Sequence, residues 1–302
     1  MAGDSPLMSF LTVHHSTVYR YRQPVFLGEH RMMFRPRESH DLRLIGVNLA
    51  ITPQPSSLRW LHDPFDNSIT IATFAGTTCE LHFDSTVQLE HFEDPLPEYP
   101  LEDYARQYPF RYSEEDFPNL IRALDRESPS ERVAHWALQF LDPAETTDTM
   151  GLLRAMTFGI SEQIPYNRRV EKGVQSAEET LLIGRGSCRD FAVLMIDAVR
   201  SLGIAARFVS GYIFVPDSSG LAGGGATHAW MQAYLPGAGW VDFDPTNSII
   251  GNRNLIRVAV AWAPEHVLPL WGTYSGPAQA FLGMEVSVTV AETPDQDFVA
   301  AS

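Results

Sequence analysis

A chain of 302 residues that is 44% hydrophobic and 20% charged has a globular composition and is long enough for two ordinary domains. Its formal charge of −15 repels phosphate backbones and anionic headgroups, so neither nucleic acid nor a membrane is an expected partner. Two cysteines exclude a disulfide framework or a Cys-rich zinc site. The lack of an apolar run of about 18 residues, or of a basic stretch leading into one at Met1 to Phe10, points to a soluble cytoplasmic protein.

From Ser9 to His91, strand-length segments rich in β-branched and aromatic residues alternate with Pro, Gly, Asp and Asn. Strands are expected at Phe10 to Arg22, Glu29 to Arg35, Leu42 to Ile51, Ser57 to Leu61, Ser68 to Phe74 and Glu80 to Glu90. That spacing predicts an antiparallel β-sandwich over residues 1–97. Cys79 lies in alternating sequence and reads as a small buried hydrophobe. His14 and His15 fall on opposite faces of one strand, which disfavours a metal site. Asp94 to Pro100 holds three prolines, which deprive a ladder of donors, so a boundary belongs there and residues 98–302 form a second domain.

Helical spacing then takes over, at Ser130 to Leu141, Thr149 to Gln163 and Ser176 to Ile183. The clearest stripe is Phe191, Leu194, Met195, Ala198, Val199 and Leu202, with Gly203 placed to end the helix. Strands follow at Ala206 to Val215, His228 to Tyr234, Trp240 to Asp244 and Met284 to Val290. Gly223-Gly224-Gly225 lacks a following Gly-Lys-Ser/Thr, so Pro216 to Ala226 reads as a surface loop, either a lid or a connector. The run Glu114-Glu115-Asp116 reads as a solvated face, since no EF-hand spacing surrounds it. No cofactor and no metal are implied.

Cys188 stands where Gly184-Arg185-Gly186-Ser187 runs into the apolar stripe, so Ser187 can cap a helix whose first turn carries the thiol. The dipole and unpaired N–H groups of that turn favour a thiolate and can hold an oxyanion. Arg189 reinforces the effect, while Asp190 opposes it unless its carboxylate turns into the cap or an ion pair. A thiol nucleophile needs a base, and the base needs an orienting group. His228, Trp230, Gln232 and Tyr234 share one face of their strand; Trp240, Asp242 and Asp244 share one face of the next. Either carboxylate can orient the imidazole, and register decides. A five-residue connection, Leu235 to Gly239, opposes Trp230 to Asp244 and leaves His228 diagonal to Asp244; a four-residue loop puts them on opposite faces.

The runs Gly186-Ser187-Cys188-Arg189-Asp190-Phe191-Ala192, Arg200 to Tyr212, Thr227-His228-Ala229-Trp230 and Gly239 to Asn247 resemble the transglutaminase-like superfamily. The β-rich amino-terminal part resembles the extra domain of its bacterial branch. The resemblance implies an α+β fold in which an amino-terminal sandwich precedes a papain-like core of helices packed on an antiparallel sheet. It makes Cys188 the nucleophile, His228 the base and Asp244 the orienting carboxylate. Tyr166, Asn167, Gln175 and Trp230 are further candidates for holding the oxyanion or substrate. The expected reaction is attack on a peptide or protein amide through a thioester, resolved by water or by an amine. The alternative is a silent peptide-binding module, and an oligomer is left open. The chain departs from the bacterial branch at Ser187, where Val is frequent, and at Leu255 and Ala261-Trp262-Ala263, where a histidine and a Gly-Arg-Asp run are frequent.

Overall fold

The computed structural model describes residues 7–93, 99–143, 146–169, 173–216 and 219–293. In chain order the elements are β1 (Leu7–Met32), β2 (Leu42–Thr52), β3 (Ser57–His62), β4 (Ser68–Thr73), β5 (Thr77–Glu93), β6 (Gln107–Tyr108), α1 (Phe117–Leu124), α2 (Glu131–Leu138), β7 (Thr147–Asp148), α3 (Thr149–Gln163) and α4 (Ala177–Ile183). They continue with α5 (Cys188–Ser201), β8 (Ala206–Ile213), β9 (His228–Leu235), β10 (Gly239–Asp244), β11 (Ile249–Ile250), β12 (Leu255–Ala261), β13 (Leu270–Ser275) and β14 (Phe281–Glu292).

The class is α+β, as expected. The amino-terminal region is one curled seven-stranded antiparallel sheet rather than two separate sheets, ordered β2-β5-β1-β4-β3 with β13 and β14 also on β1. The reason is β1, which is continuous where two strands were expected. Its first half lies between β5 and β14, and its second half turns to β4 and β13. Register shifts after Arg20 and Leu27 let the strand bend between these partners. Residues 94–98, where the expected boundary falls, lie outside the described residues. Because β13 and β14 return to the first sheet, a division at 97/98 does not separate the two sheets.

Cys79 is exposed, which corrects the buried assignment. The pairing of β5 with β1 breaks between Glu80 and Thr78, so the alternation that buries Leu81 and Phe83 does not carry through to it. His15 is buried and His14 is not, as the alternation requires.

A second sheet, ordered β11-β10-β9-β8-β12, carries α5 against β9 and β8. The predicted stripe of α5 is buried, and each such Phe, Leu or Met contributes roughly 1.5–3 kcal/mol. Leu11, Val13, Leu42, Val87 and Leu89 of the first sheet join the same core as Phe191, Leu194 and Met231, so the two sheets pack as one body. Helices α1 and strands β12 and β13 were not anticipated. No helix among the described residues is long and apolar enough to cross a membrane.

Candidate active site

The thiol is set by how α5 begins. Gly184 ends α4 in the left-handed region at φ 67°, a conformation that favours glycine. Ser187 is the N-cap, and Cys188 is the first helical residue. Asp190 turns its carboxylate back into the cap, where one oxygen accepts the Ser187 N–H and hydroxyl, each at 2.8 Å. Its other oxygen accepts Arg169 Nη1 at 2.9 Å and the Gln175 N–H at 2.7 Å. The charge of Asp190 is thereby spent on the cap and on Arg169, and the opposition to Arg189 is relieved.

The register of β9 with β10 opposes Gln232 to Asp242 and Tyr234 to Trp240, as expected. The connection is shorter than expected, because Leu235 and Gly239 themselves pair and only Pro236, Gly237 and Ala238 turn the chain. This register brings His228, at the start of β9, to Asp244, at the end of β10. His228 Nε2 lies 2.8 Å from Asp244 Oδ2. Asp242 instead accepts the Trp230 indole N–H at 2.6 Å and Arg257 Nη1 at 3.0 Å, so it does not orient the imidazole.

Asp244 is held further by the Thr246 N–H at 2.9 Å and Asn247 Nδ2 at 2.8 Å. Cys188, His228 and Asp244 are 7%, 1% and 0% exposed. Burial alone would lower the imidazole, but the Asp244 charge and hydrogen bond reverse this and hold it at about 10. Burial would likewise raise Asp244, yet His228, Asn247 and Thr246 keep it below the usual carboxylate range. Burial pushes the Cys188 thiol up; interaction with His228 and the charge of Arg189 outweigh it and bring the thiol below its ordinary value. With Nε2 committed to Asp244, Nδ1 is the imidazole nitrogen left for the thiol.

The other candidates divide. Tyr166 pairs in parallel with Gly186; burial raises its phenol, and the nearby Cys188 and Asp244 charges raise it further. Asn167 is exposed, and its N–H is used on the Gly186 carbonyl at 2.8 Å. Gln175 is engaged away from the thiol, its N–H on Asp190 and its amide oxygen accepting from Thr180 at 3.2 Å. Trp230 is fully buried and stacked on His228 at 5.8 Å between ring centroids, so it supports the imidazole instead of meeting a substrate.

The Gly-rich loop belongs to this site. A Cβ at Gly223 would stand 2.6 Å from His228 Nδ1, so only glycine lets the backbone pass there. Asn247 ties the loop down, accepting the Ala222 N–H at 2.7 Å and donating to its carbonyl at 3.1 Å. Residues 217–218 of the expected loop lie outside the described residues. The roles of Asn247, Arg169 and Arg257 were not anticipated. An Asp-Pro-Thr-Asn turn places an amide three residues beyond the carboxylate, and that spacing was the available signal for Asn247.

Comparison with known proteins agrees with this architecture. Residues 11–90 match the bacterial transglutaminase-like N-terminal region and residues 138–245 the transglutaminase-like superfamily. An uncharacterized protein of Mycobacterium leprae is 40% identical over 108 residues, 35% of this chain and 38% of that protein's length. Another, from Mycobacterium bovis, is 26% identical over 324 residues, spanning 97% of this chain and 98% of that protein. The crystal structure of a candidate cysteine protease from Cytophaga hutchinsonii matches with a TM-score of 0.65 at 19% identity, over 98% of this chain and 94% of that one. The chain therefore belongs to the transglutaminase-like superfamily, a family of thiol-dependent enzymes, and carries the bacterial form of amino-terminal region.

Proposed function

We propose that the protein is a thiol-dependent amidase or protease that cleaves a peptide or protein amide through a thioester. The observation that carries this reading is the buried 2.8 Å bond between His228 and Asp244 beside a thiol in the first turn of α5. Asp244 favours imidazolium, and imidazolium favours the Cys188 thiolate. The thiolate sulfur adds to the amide carbonyl, and the Cys188 N–H at the helix start donates to the oxyanion. Collapse breaks the C–N bond, and His228 gives its Nδ1 proton to the departing amine. Water then loses a proton to Nδ1 as its oxygen attacks the thioester, which releases a carboxylic acid and restores the thiol. Hydrolysis is favoured over amine transfer because water needs no acceptor pocket.

The test is mass spectrometry of the full chain incubated with candidate peptides, with and without a primary amine. The expected result is an acyl adduct on Cys188, absent in Cys188→Ala, and a free acid product in both incubations. Wild-type turnover by Cys188→Ala would overturn the mechanism. An amide product formed only with the amine would replace hydrolysis by transfer.

A further inference from the structure

Beyond the thiol, imidazole and carboxylate runs a line of buried groups that the acyl-transfer steps do not use. The Trp230 indole lies on the His228 ring at 5.8 Å and 28° between planes. Its Nε1–H donates to Asp242 Oδ1 at 2.6 Å, and Asp242 Oδ2 accepts Arg257 Nη1 at 3.0 Å. Arg257 Nη2 then donates to both oxygens of Asp41, at 2.7 and 2.8 Å. Asp41 lies in the turn that leads into β2 of the first sheet. Trp230, Asp242 and Asp41 are 0%, 4% and 8% exposed. The seat of the indole is closed from below as well, because a Cβ at Gly211 would come within 2.7 Å of the Trp230 ring.

A buried carboxylate is costly, and packing alone would be served as well by an apolar residue. A carboxylate here does two things an apolar residue cannot. It fixes the indole plane through Nε1–H, and its charge, which burial disfavours and Arg257 and the indole N–H support, enriches the indole face that the imidazole lies against. An electron-rich ring face stabilises a cation stacked on it at about 6 Å.

We infer that Asp242, braced from the first sheet through Arg257 and Asp41, is a positioning residue that holds His228 through Trp230 and favours its protonated form. The inference rests on the acyl-transfer reading of the site. It gives the amino-terminal sheet a part in the chemistry: Asp41 neutralises the arginine that holds Asp242. The other groups bearing on His228 are Asp244 and Cys188; Arg189 and Asp244 act on the thiol, and the thiol acts on Tyr166.

The test reads the pH dependence of Cys188 alkylation by iodoacetamide in the full chain, with Cys79→Ser to remove the exposed thiol. Asp242→Asn keeps the shape and an acceptor for the indole but removes the charge. Its midpoint for thiolate reactivity should rise by about one pH unit, a roughly 10-fold slower reaction on the acid side of that midpoint. Trp230→Phe, which leaves the pair between Asp242 and Arg257 whole, should move the midpoint in the same direction, and Asp41→Asn should move it less. If Asp242→Asn does not fold, Trp230→Phe decides. An unchanged midpoint in the folded variants, whatever their loss of stability, overturns the inference. A parent protein whose Cys188 reacts only at the pH of an ordinary thiol sinks the acyl-transfer reading instead.

Discussion

Four histidines are buried among the described residues, and they are in opposite electrical states. His15, His30 and His91 belong to the first sheet, and burial lowers all three, His15 to about 4. His15 spends its nitrogens on hydroxyls, Tyr212 at 2.9 Å and Thr17 at 3.1 Å, which accept a neutral ring without loss. His228 is as buried, yet it rises to about 10, because its partner is a carboxylate. The contrast teaches that burial sets the cost of charge and the partner sets its sign.

The sharpest way to break the contrast is Asp244→Asn, which gives His228 a neutral partner like those of His15. The imidazole should fall, the thiol should rise, and Cys188 alkylation near about pH 6 should slow on the order of 100-fold, two decades for two pKa units. Alkylation at the wild-type rate would mean that Asp244 does not set the charge.

Stability should depend on pH in opposite directions for the two kinds of histidine. His228 binds its proton more tightly when folded, so its contribution is complete below about pH 6.5 and is lost as pH rises towards about 10. His15 is held neutral when folded, so its contribution is complete above about pH 6.5 and is lost as pH falls towards about 4. Urea unfolding across pH should show His228→Gln flattening the alkaline limb and His15→Gln the acid limb, each by on the order of 2 kcal/mol. The same limb flattened by both would defeat the comparison.

Smaller effects should follow at the loop. Gly223→Ala puts a methyl group against Nδ1 from a backbone at φ 96°, a strain of about 1–3 kcal/mol. The loop should be cut faster by a protease while the rest of the chain resists. Asn247→Ala removes one bond to Asp244 and two to Ala222, and should lower stability by about 1 kcal/mol with a mild acceleration of loop cleavage.

The second sheet was more legible from residue order than the first. Its α5 stripe, cap and histidine strand obey local rules: 3.6-residue spacing, an N-cap, period-two alternation. Parity put both Asp242 and Asp244 within the reach of His228 and left the choice to register; the resemblance pointed to Asp244, and the pairing of Leu235 with Gly239 supplies that register. The first sheet hid its main feature, the continuity of β1, because Gln23-Pro24 and Gly28 look like breaks where the strand only bends. Helix α1 was hidden because the acidic run before it read as solvated surface, with Phe117 and Ile121 left exposed. For Trp230, alternation gives its face but not that Asp242 takes its indole N–H while Arg257, two strands away, and Asp41, in the turn before β2, hold that carboxylate. Contacts of that kind have no local signature.

The return of β14 to β1 bears on the order in which the molecule can form. Leu11 pairs with Glu292 and Tyr21 with Phe281, so β1 is completed by a strand far later in the chain. Contacts this distant in sequence are slow to close. During synthesis the open flank of β1 waits as an unpaired edge, able to add a strand from another nascent chain. The window for such mispairing closes only when residues 281–292 leave the ribosome.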